Sequence, residues 1–72
     1  MKHYFIVEKT VGRNNDLDSD PYYITDKYDE AEKVLIEAND PAVEFIKEVD
    51  AYFHFIRWTR YRDGKIVGTY SH

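Results

Sequence analysis

The stretch AYFHFIRWTRYRDGKIVGTY, residues 51–70, decides how this chain folds. Residues 51–62 are mostly aromatic or β-branched, which is typical of a long strand. Asp63-Gly64 is typical of a two-residue type I′ turn, whose central residues both need positive φ, and residues 65–70 then return antiparallel. Because a two-residue loop fixes the register, it predicts a defined set of cross-strand pairs. These pairs are Tyr61 with Ile66, Arg60 with Val67, Trp58 with Thr69, and Arg57 with Tyr70.

The N-terminal part of the chain predicts a second hairpin, with a long loop. Residues 3–11 carry apolar side chains on both faces, which is typical of a central strand, and Gly12 ends it. The charged, turn-rich residues 12–20 predict a surface loop. Residues 21–25, which open on a proline, predict a short second strand.

Between the two hairpins the apolar period changes to 3.6 residues, which predicts an amphipathic helix. Either Thr25 or Asp26 is suited to be its N-cap. The apolar residues that share one arc of the helical wheel are Tyr28, Ala31, Val34, Leu35 and Ala38.

Residues 41–49 fit two structures. The run Asn39-Asp40-Pro41 ends the first helix and can begin another, because aspartate suits an N-cap and proline suits the first helical position. A second helix would place Ala42, Phe45, Ile46 and Val49 on one face. A strand with Val43, Phe45 and Val49 on one side fits nearly as well, and we favour the helix.

These segments predict a single α+β domain over residues 1–72 with the element order ββα(α)ββ. A four-stranded, mainly antiparallel sheet with helical cover on one face is the simplest way to bury the apolar stripes. A 72-residue chain has room for one domain and buries only about 60% of the surface that its unfolded form exposes. Its stability margin is therefore expected to be thin.

Charge is segregated along the sequence. Twelve of the fourteen acids lie between Asp16 and Asp50, where three lysines oppose them, whereas both ends of the chain carry net positive charge. The formal net charge of −4 hides this separation. Because such a field steers charged partners, the composition favours a binding function.

An acidic helical surface is the leading candidate for a binding site. Five acids in residues 26–37 span about 18 Å of helix, or one carboxylate per roughly 3.6 Å, close to the ~3.4 Å phosphate rise of one DNA strand. Carboxylates at that spacing can mimic DNA, although an ordinary solvated helix face has the same composition. The predicted contact residues are Asp26, Asp29, Glu30, Glu37, Glu44 and Glu48, with Asp16, Asp18 and Asp20 as a flexible acidic flank and Ile36 as an apolar contact on the polar arc.

A second candidate site is the strand FHFIRWTRYR, residues 53–62, in which arginines alternate with aromatic residues. Aromatic platforms flanked by guanidinium groups hold single-stranded nucleic acid on sheets. The residues that would do so here are Phe55, Arg57, Trp58, Arg60, Tyr61 and Arg62. Direct binding of nucleic acid is the less favoured reading, because a chain with a pI near 5.2 is repelled by a long polyanion.

The sequence contains no constellation that predicts an enzyme, a cofactor or a metal site. His3, His54 and His72 are scattered, and there is no cysteine to act as a nucleophile or zinc ligand. The acids at 16, 18 and 20 begin like a calcium loop, but Pro21 and Lys27 occupy the positions of the glycine and the glutamate that such a loop needs. We therefore predict a protein that is not an enzyme.

Apolar stretches are short throughout the chain. The longest uninterrupted one, Tyr4–Val7, is far too short to span a membrane or to form the core of an export signal. The absence of cysteine fits a reducing compartment. These features predict a cytoplasmic protein without a membrane partner.

In its layout this chain resembles the small host-takeover inhibitors encoded by bacteriophages, some of which mimic DNA. The shared features are small size, lack of cysteine, an acidic helical middle and the ββαββ order. The resemblance implies an inhibitor, acting in the host cytoplasm, whose carboxylates occupy the DNA-binding surface of a basic host protein such as a nucleoid-associated protein or a nuclease. Strong mimics are more acidic than this chain. If the chain is a mimic, its Arg-rich hairpin would have to face away from the basic partner or serve as the contact of a homodimer. A third hypothesis for the function is a homodimeric assembly protein that associates through its aromatic sheet.

Overall fold

A computed structural model describes residues 2–13 and 16–71 of the chain. Within these ranges the elements are β1 Tyr4–Arg13, β2 Asp16–Thr25, α1 Tyr28–Ala38, β3 Val43–Val49, β4 Phe55–Arg62 and β5 Lys65–Ser71. The strands form one five-stranded sheet in the order β2-β1-β3-β4-β5. Every neighbouring pair is antiparallel.

The predicted four-stranded ββα(α)ββ fold is wrong. The molecule is mostly sheet, with five strands and one short helix in the described residues, and residues 43–49 form β3 instead of a second helix. Because β3 lies between β1 and β4, it buries apolar side chains on both faces of the sheet. Such a strand loses the simple alternation of a half-exposed strand and imitates a helical pattern.

The predicted loop over residues 12–20 is also wrong, because residues 12–13 and 16–20 belong to the two strands of the N-terminal hairpin. β1 continues to Arg13 and β2 begins at Asp16, with residues 14–15 outside the described ranges. The predicted central position of β1 is confirmed, since it pairs with both β2 and β3. Charged residues on β2 suggested a loop, but an edge strand tolerates them well.

Helix α1 is confirmed, with a different N-cap from the one predicted. The N-cap residue is Lys27, whose backbone N–H donates to Thr25 Oγ1 at 3.2 Å. The helix ends at Asn39, which adopts the left-handed conformation with φ 49°. Helix α1 is neither long nor apolar enough to cross a membrane, and the described parts of the chain include no other helix.

The main core lies between α1 and one face of the sheet. The predicted apolar arc of α1 is confirmed: its side chains pack on β1, β2 and β3. The buried residues of this core are Val7, Ala31, Leu35, Val43, Ile46 and Tyr61, with Phe5, Tyr28, Val34 and Ala38 packed against them. Helix α1 packs mainly on β1, β2 and β3 and reaches β4 through Tyr61, so β5 lies beyond its cover on this side.

The C-terminal hairpin has the predicted turn but a shifted register. Asp63 and Gly64 have φ values of 53° and 76°, as the type I′ turn requires. The pair Tyr61 with Ile66 is confirmed, whereas an irregularity between Arg60 and Tyr61 moves the other predicted partners by one residue. The observed pairs are Arg60 with Gly68, Trp58 with Tyr70, and Arg57 with Ser71. The bulge therefore brings two aromatic residues opposite each other.

Candidate functional site

The sheet has a second face that α1 does not cover. Cross-strand partners point to the same side of a sheet, so side chains on this face can be followed through the pairs Ile6 with Lys47, Lys47 with Trp58, and Trp58 with Tyr70. We call this surface the aromatic face. Its members are Tyr4, Ile6, Glu8, Ile24, Phe45, Lys47, Val49, Phe55, Trp58, Arg60 and Tyr70.

Trp58 is fixed at the centre of the aromatic face. Its indole ring stacks on Phe45 with 4.3 Å between ring centroids, and Tyr70 lies 6.3 Å away on the other side. The indole Nε1–H donates to Glu8 Oε1 at 2.9 Å, although Glu8 is only 7% exposed. The guanidinium group of Arg60 lies 5.6 Å from the Phe45 ring centroid. These contacts hold the ring in a defined orientation.

Lys47 places a positive charge among these apolar groups. It stands between Ile6 and Trp58 in the sheet register. The described residues include no ion pair to its ammonium group. By contrast, Arg60 Nε lies 2.8 Å from Glu44 Oε1. The aromatic face therefore carries one cation without an anionic partner in the described chain.

The turn between β3 and β4 extends the aromatic face at one end. Residues 51–54 were predicted as strand, which is wrong, because β4 begins only at Phe55. The Asp50 Oδ1 atom accepts the backbone N–H groups of Tyr52 at 2.8 Å and His54 at 2.9 Å. Phe53 has φ 64° and stacks on Tyr4, with centroids 5.7 Å apart and an interplanar angle of 6°. Tyr52 and Phe53 remain 74% and 59% exposed.

Acidification is expected to loosen this turn through Asp50. Hydrogen bonds from the backbone of His54, and then from that of Tyr52, hold the pKa of the Asp50 carboxyl below its ordinary value. Because the pKa of Asp50 is lower in the folded than in the unfolded protein, its ionised carboxylate stabilises the fold above the unfolded pKa of about 3.9. This stabilisation is lost as the pH falls through the pKa of the folded protein. We expect Asp50→Ala to lower the thermal unfolding midpoint at pH 6. Between pH 5 and pH 2.5 the midpoint of this variant should fall less steeply than that of the wild-type protein.

The matched control for that measurement is Asp29→Ala, since Asp29 is an exposed helical carboxylate without a hydrogen bond among the described contacts. Circular dichroism melts of the three proteins across the pH range give the comparison. Equal pH slopes for the wild-type protein and Asp50→Ala would contradict the role assigned to Asp50.

Most of the predicted DNA-mimic carboxylates have partners within the chain. Glu44 and Glu48 lie on β3, where Glu44 meets Arg60 and Glu48 contacts His3 at 2.7 Å and Arg57 at 3.4 Å. Asp26 lies 3.4 Å from the ammonium group of Lys2. These pairs reduce the charge that a basic partner would meet.

Glu30 is held on the side of the helix next to β2. It accepts hydrogen bonds from the hydroxyl groups of Thr25 and Tyr23, the latter at 3.0 Å. The bond from Thr25, followed by that from Tyr23, lowers the pKa of Glu30. Its carboxylate therefore organises the start of α1.

The remaining residues of that predicted set are separated. Asp29 and Glu37 are exposed on α1 without an ion pair among the described residues, and Asp20 is exposed on β2. The side chains of Asp16 and Asp18 lie outside the described part of the structure. Ile36 is half-exposed and lines a groove of about 640 Å³ between the end of α1 and the β4–β5 turn. The acids do not form one continuous row.

The predicted nucleic-acid site is divided between the two faces of the sheet. Tyr61 is buried against α1 and cannot stack on a base, and Arg57 lies on that same side, next to Glu48. Phe55 pairs with Val49 and shares the aromatic face with Trp58 and Arg60. Arg62 is exposed next to the β4–β5 turn.

Several residues of the aromatic face were missed in the sequence. They are Tyr4, Ile6, Ile24, Glu8, Phe45, Lys47, Tyr52, Phe53 and Tyr70. Those on β1 had a signal in residues 3–11, whose apolar side chains on both faces require two separate contact surfaces. In the described ranges, no group of three histidine or acidic side chains is placed to hold a metal ion.

No family model matches this chain, and comparisons with curated proteins and with solved structures likewise give no match. The fold and the site define a small antiparallel-sheet protein with one helix-covered face and one open aromatic face. Its function is therefore inferred from its own surfaces.

Proposed function

We propose that this chain is a non-enzymatic binding protein whose aromatic face receives an apolar, acid-bearing segment of another protein. The observation that carries the proposal is a set of oriented rings on a face that α1 leaves open, with the unpaired cation Lys47 opposite Trp58 in the sheet register. Interface centres are enriched in aromatic residues and arginine, and a few rigid aromatic anchors usually supply most of the binding energy.

The size of the aromatic face supports a protein partner. The molecule measures 36 × 26 × 19 Å along its principal axes, and the two longer dimensions bound one sheet face. That area is at most about 940 Å², comparable with the ~800 Å² that each partner contributes to a standard interface. The partner would lie across Trp58, Tyr70 and the Tyr4–Phe53 stack.

Charge defines the chemistry of the partner. Lys47 stands between Ile6 and Trp58, so a carboxylate placed opposite it would gain a partly desolvated ion pair. Glu8 and Glu44 lie next to Trp58 and Arg60 and would oppose a row of phosphates. One side of the Trp58 ring is already occupied by Phe45. A protein segment can place a single carboxylate at Lys47, away from Glu8 and Glu44, whereas a nucleic acid brings one phosphate per nucleotide, so these contacts favour the protein segment.

The test is selection of peptides from a random library displayed on phage, using the wild-type chain as bait. We expect enriched peptides to combine aromatic or aliphatic residues with Asp or Glu. Lys47→Glu is expected to weaken their binding at least tenfold, and Phe53→Ser to weaken it severalfold. Lys33→Glu makes the same charge change on the exposed surface of α1 and is expected to leave affinity unchanged.

Selection on the Lys47→Glu bait gives the converse result, because its enriched peptides should carry Lys or Arg. Fluorescence titration of Trp58 with an oligothymidylate tests the nucleic-acid alternative in parallel. The proposal fails if the peptides bind equally to all variants, or if the oligonucleotide binds tightly and depends on Trp58 and Arg60.

A DNA-mimic inhibitor is a second proposal, favoured by the exposed, unpaired carboxylates of Asp29 and Glu37 on the opposite side of the molecule. Binding to a purified bacterial nucleoid-associated protein would weaken steeply between about 50 and 200 mM salt and would be competed by duplex DNA. The double change Asp29→Lys with Glu37→Lys should abolish it, whereas Lys47→Glu should not. Affinity that survives the double change would exclude this function.

A further inference from the structure

The two edge strands of the sheet differ in how they are protected. β2 contains Pro21 and the acids at 16, 18 and 20, which are features that block edge-to-edge pairing. β5 has the sequence KIVGTYS, without proline or acid, and its side chains Ile66, Val67 and Tyr70 are each more than half exposed. Lys65 and the irregularity at Val67 protect only the start of β5, so the rest of the strand presents free backbone groups that another strand can use.

We propose that β5 pairs antiparallel with β5 of a second copy of this chain, about a two-fold axis at Thr69. The two sheets then join into one continuous sheet. This inference uses the sheet edge and does not rest on the proposed function of the aromatic face. Two-fold pairing is the commonest symmetry of oligomers, and it requires a self-complementary surface.

The side chains of β5 meet that requirement. Thr69 faces the α1 side, where it lines a groove with Tyr28 and Thr59, whereas Tyr70 faces Trp58 on the aromatic face. With the axis at Thr69, the Thr69 side chains of the two copies lie directly opposite each other, and Thr–Thr pairs are favourable across strands. It also sets Gly68 against Tyr70 of the second copy.

Gly68 is suited to a neighbouring ring. A Cβ atom at this position would lie 3.3 Å from the Tyr70 hydroxyl of its own strand, so the phenol already lies over the glycine. Aromatic rings that cover a glycine stabilise strand pairs. Across the axis each Gly68, already covered by Tyr70 of its own strand, would lie next to Tyr70 of the second copy, which brings the aromatic faces of the two copies together.

Charge also favours a second copy in the antiparallel direction. The only formal charge in KIVGTYS is Lys65, at the start of the strand. With the axis at Thr69, residues 67–71 of the copies overlap, and the two Lys65 positions lie about 26 Å apart at 3.3 Å per residue. A parallel arrangement in register would instead set like charges side by side.

The chain contains no cysteine, so a single introduced thiol reports the register directly. Thr69→Cys is expected to form a disulfide-linked dimer under mild oxidation at least tenfold faster than Lys65→Cys, because directly opposite Cβ atoms lie about 4.5–5.5 Å apart, within a small adjustment of disulfide geometry. Ser19→Cys, on the protected edge strand β2, is the second control.

Sedimentation equilibrium of the unmodified chain completes the test without relying on oxidation. We expect a monomer–dimer equilibrium that Val67→Lys shifts at least tenfold toward monomer, while its circular dichroism spectrum stays that of the wild-type chain. Equal cross-linking rates at positions 65 and 69, or a monomer at every concentration, would overturn the proposal. So would a dimer that is lost on Phe53→Ser but kept in Val67→Lys, because it would use the aromatic face. The peptide-binding result for Lys47→Glu is independent of all these outcomes.

Discussion

Replacement of Ile46 by alanine is expected to lower the free energy of unfolding by about 2–5 kcal/mol. Ile46 is 1% exposed and lies on β3 between Val7 and Thr59, under helix α1. Removing its side chain loses buried apolar area and leaves a cavity at the point where α1 and the centre of the sheet meet. A chain of 72 residues has a total stability of only about 4–11 kcal/mol, so this single change threatens the fold.

The measurement is urea unfolding followed by Trp58 fluorescence and by circular dichroism. The matched control is Ile36→Ala, which makes the same change at a side chain that is 50% exposed on α1. Its cost should be at most about 1 kcal/mol. A midpoint for Ile46→Ala equal to that of Ile36→Ala would contradict the assignment of the core to the α1 face of β3.

The predictions that the structure confirms rest on two kinds of local signal. One is a residue pair with a strong backbone preference, and the other is a set of apolar side chains on one side of a helix. Asp63-Gly64 supplies the positive φ values of its turn, and the 3.6-residue arc of residues 28–38 matches the side of α1 that is buried. Each of these features is determined by neighbours in the sequence. They could therefore be predicted without knowledge of the sheet order.

The errors arose where long-range pairing decides the structure. Residues 43–49 became a strand because β1 and β4 flank them, and neither neighbour is visible in the local pattern. The shifted register of β4 and β5 depends on one irregularity beside Tyr61, which two-residue turn chemistry does not reveal. A one-residue shift moves each following side chain relative to its partner.

The surroundings of the candidate side chains could not be predicted for the same reason. Charge counting along the sequence treated Glu44 and Glu48 as free acids, yet Arg60 and Arg57 reach them across neighbouring strands. Lys47 was read as a cation opposing nearby acids, whereas the sheet places it among apolar side chains. Only the pairing of β3 with β1 and β4 distinguishes these environments.

Tyr61 joins helix and sheet through its hydroxyl group. The ring is buried in the core, its O–H donates to Glu32 Oε2 at 2.7 Å, and the hydroxyl of Tyr28 also contacts it. Burial, and then the hydrogen bonds with Tyr28 and Glu32, raise the pKa of the Tyr61 phenol far above its ordinary value. The folded protein therefore keeps this proton at a pH where the unfolded chain releases it.

Tyr61→Phe is expected to lower the free energy of unfolding by about 1–3 kcal/mol at neutral pH, because Glu32 and Tyr28 lose their shared partner. Below pH 10 the phenol is protonated in both states, so stability is independent of its titration. Above pH 10 only the unfolded chain loses the proton, and wild-type stability should fall by about 1.4 kcal/mol per pH unit from this group. Urea titrations at pH 7 and from pH 9.5 to 11.5 should show a shallower alkaline decline for Tyr61→Phe. Tyr52→Phe, at an exposed ring, should keep the wild-type slope; equal slopes for all three proteins would exclude a buried, protonated Tyr61.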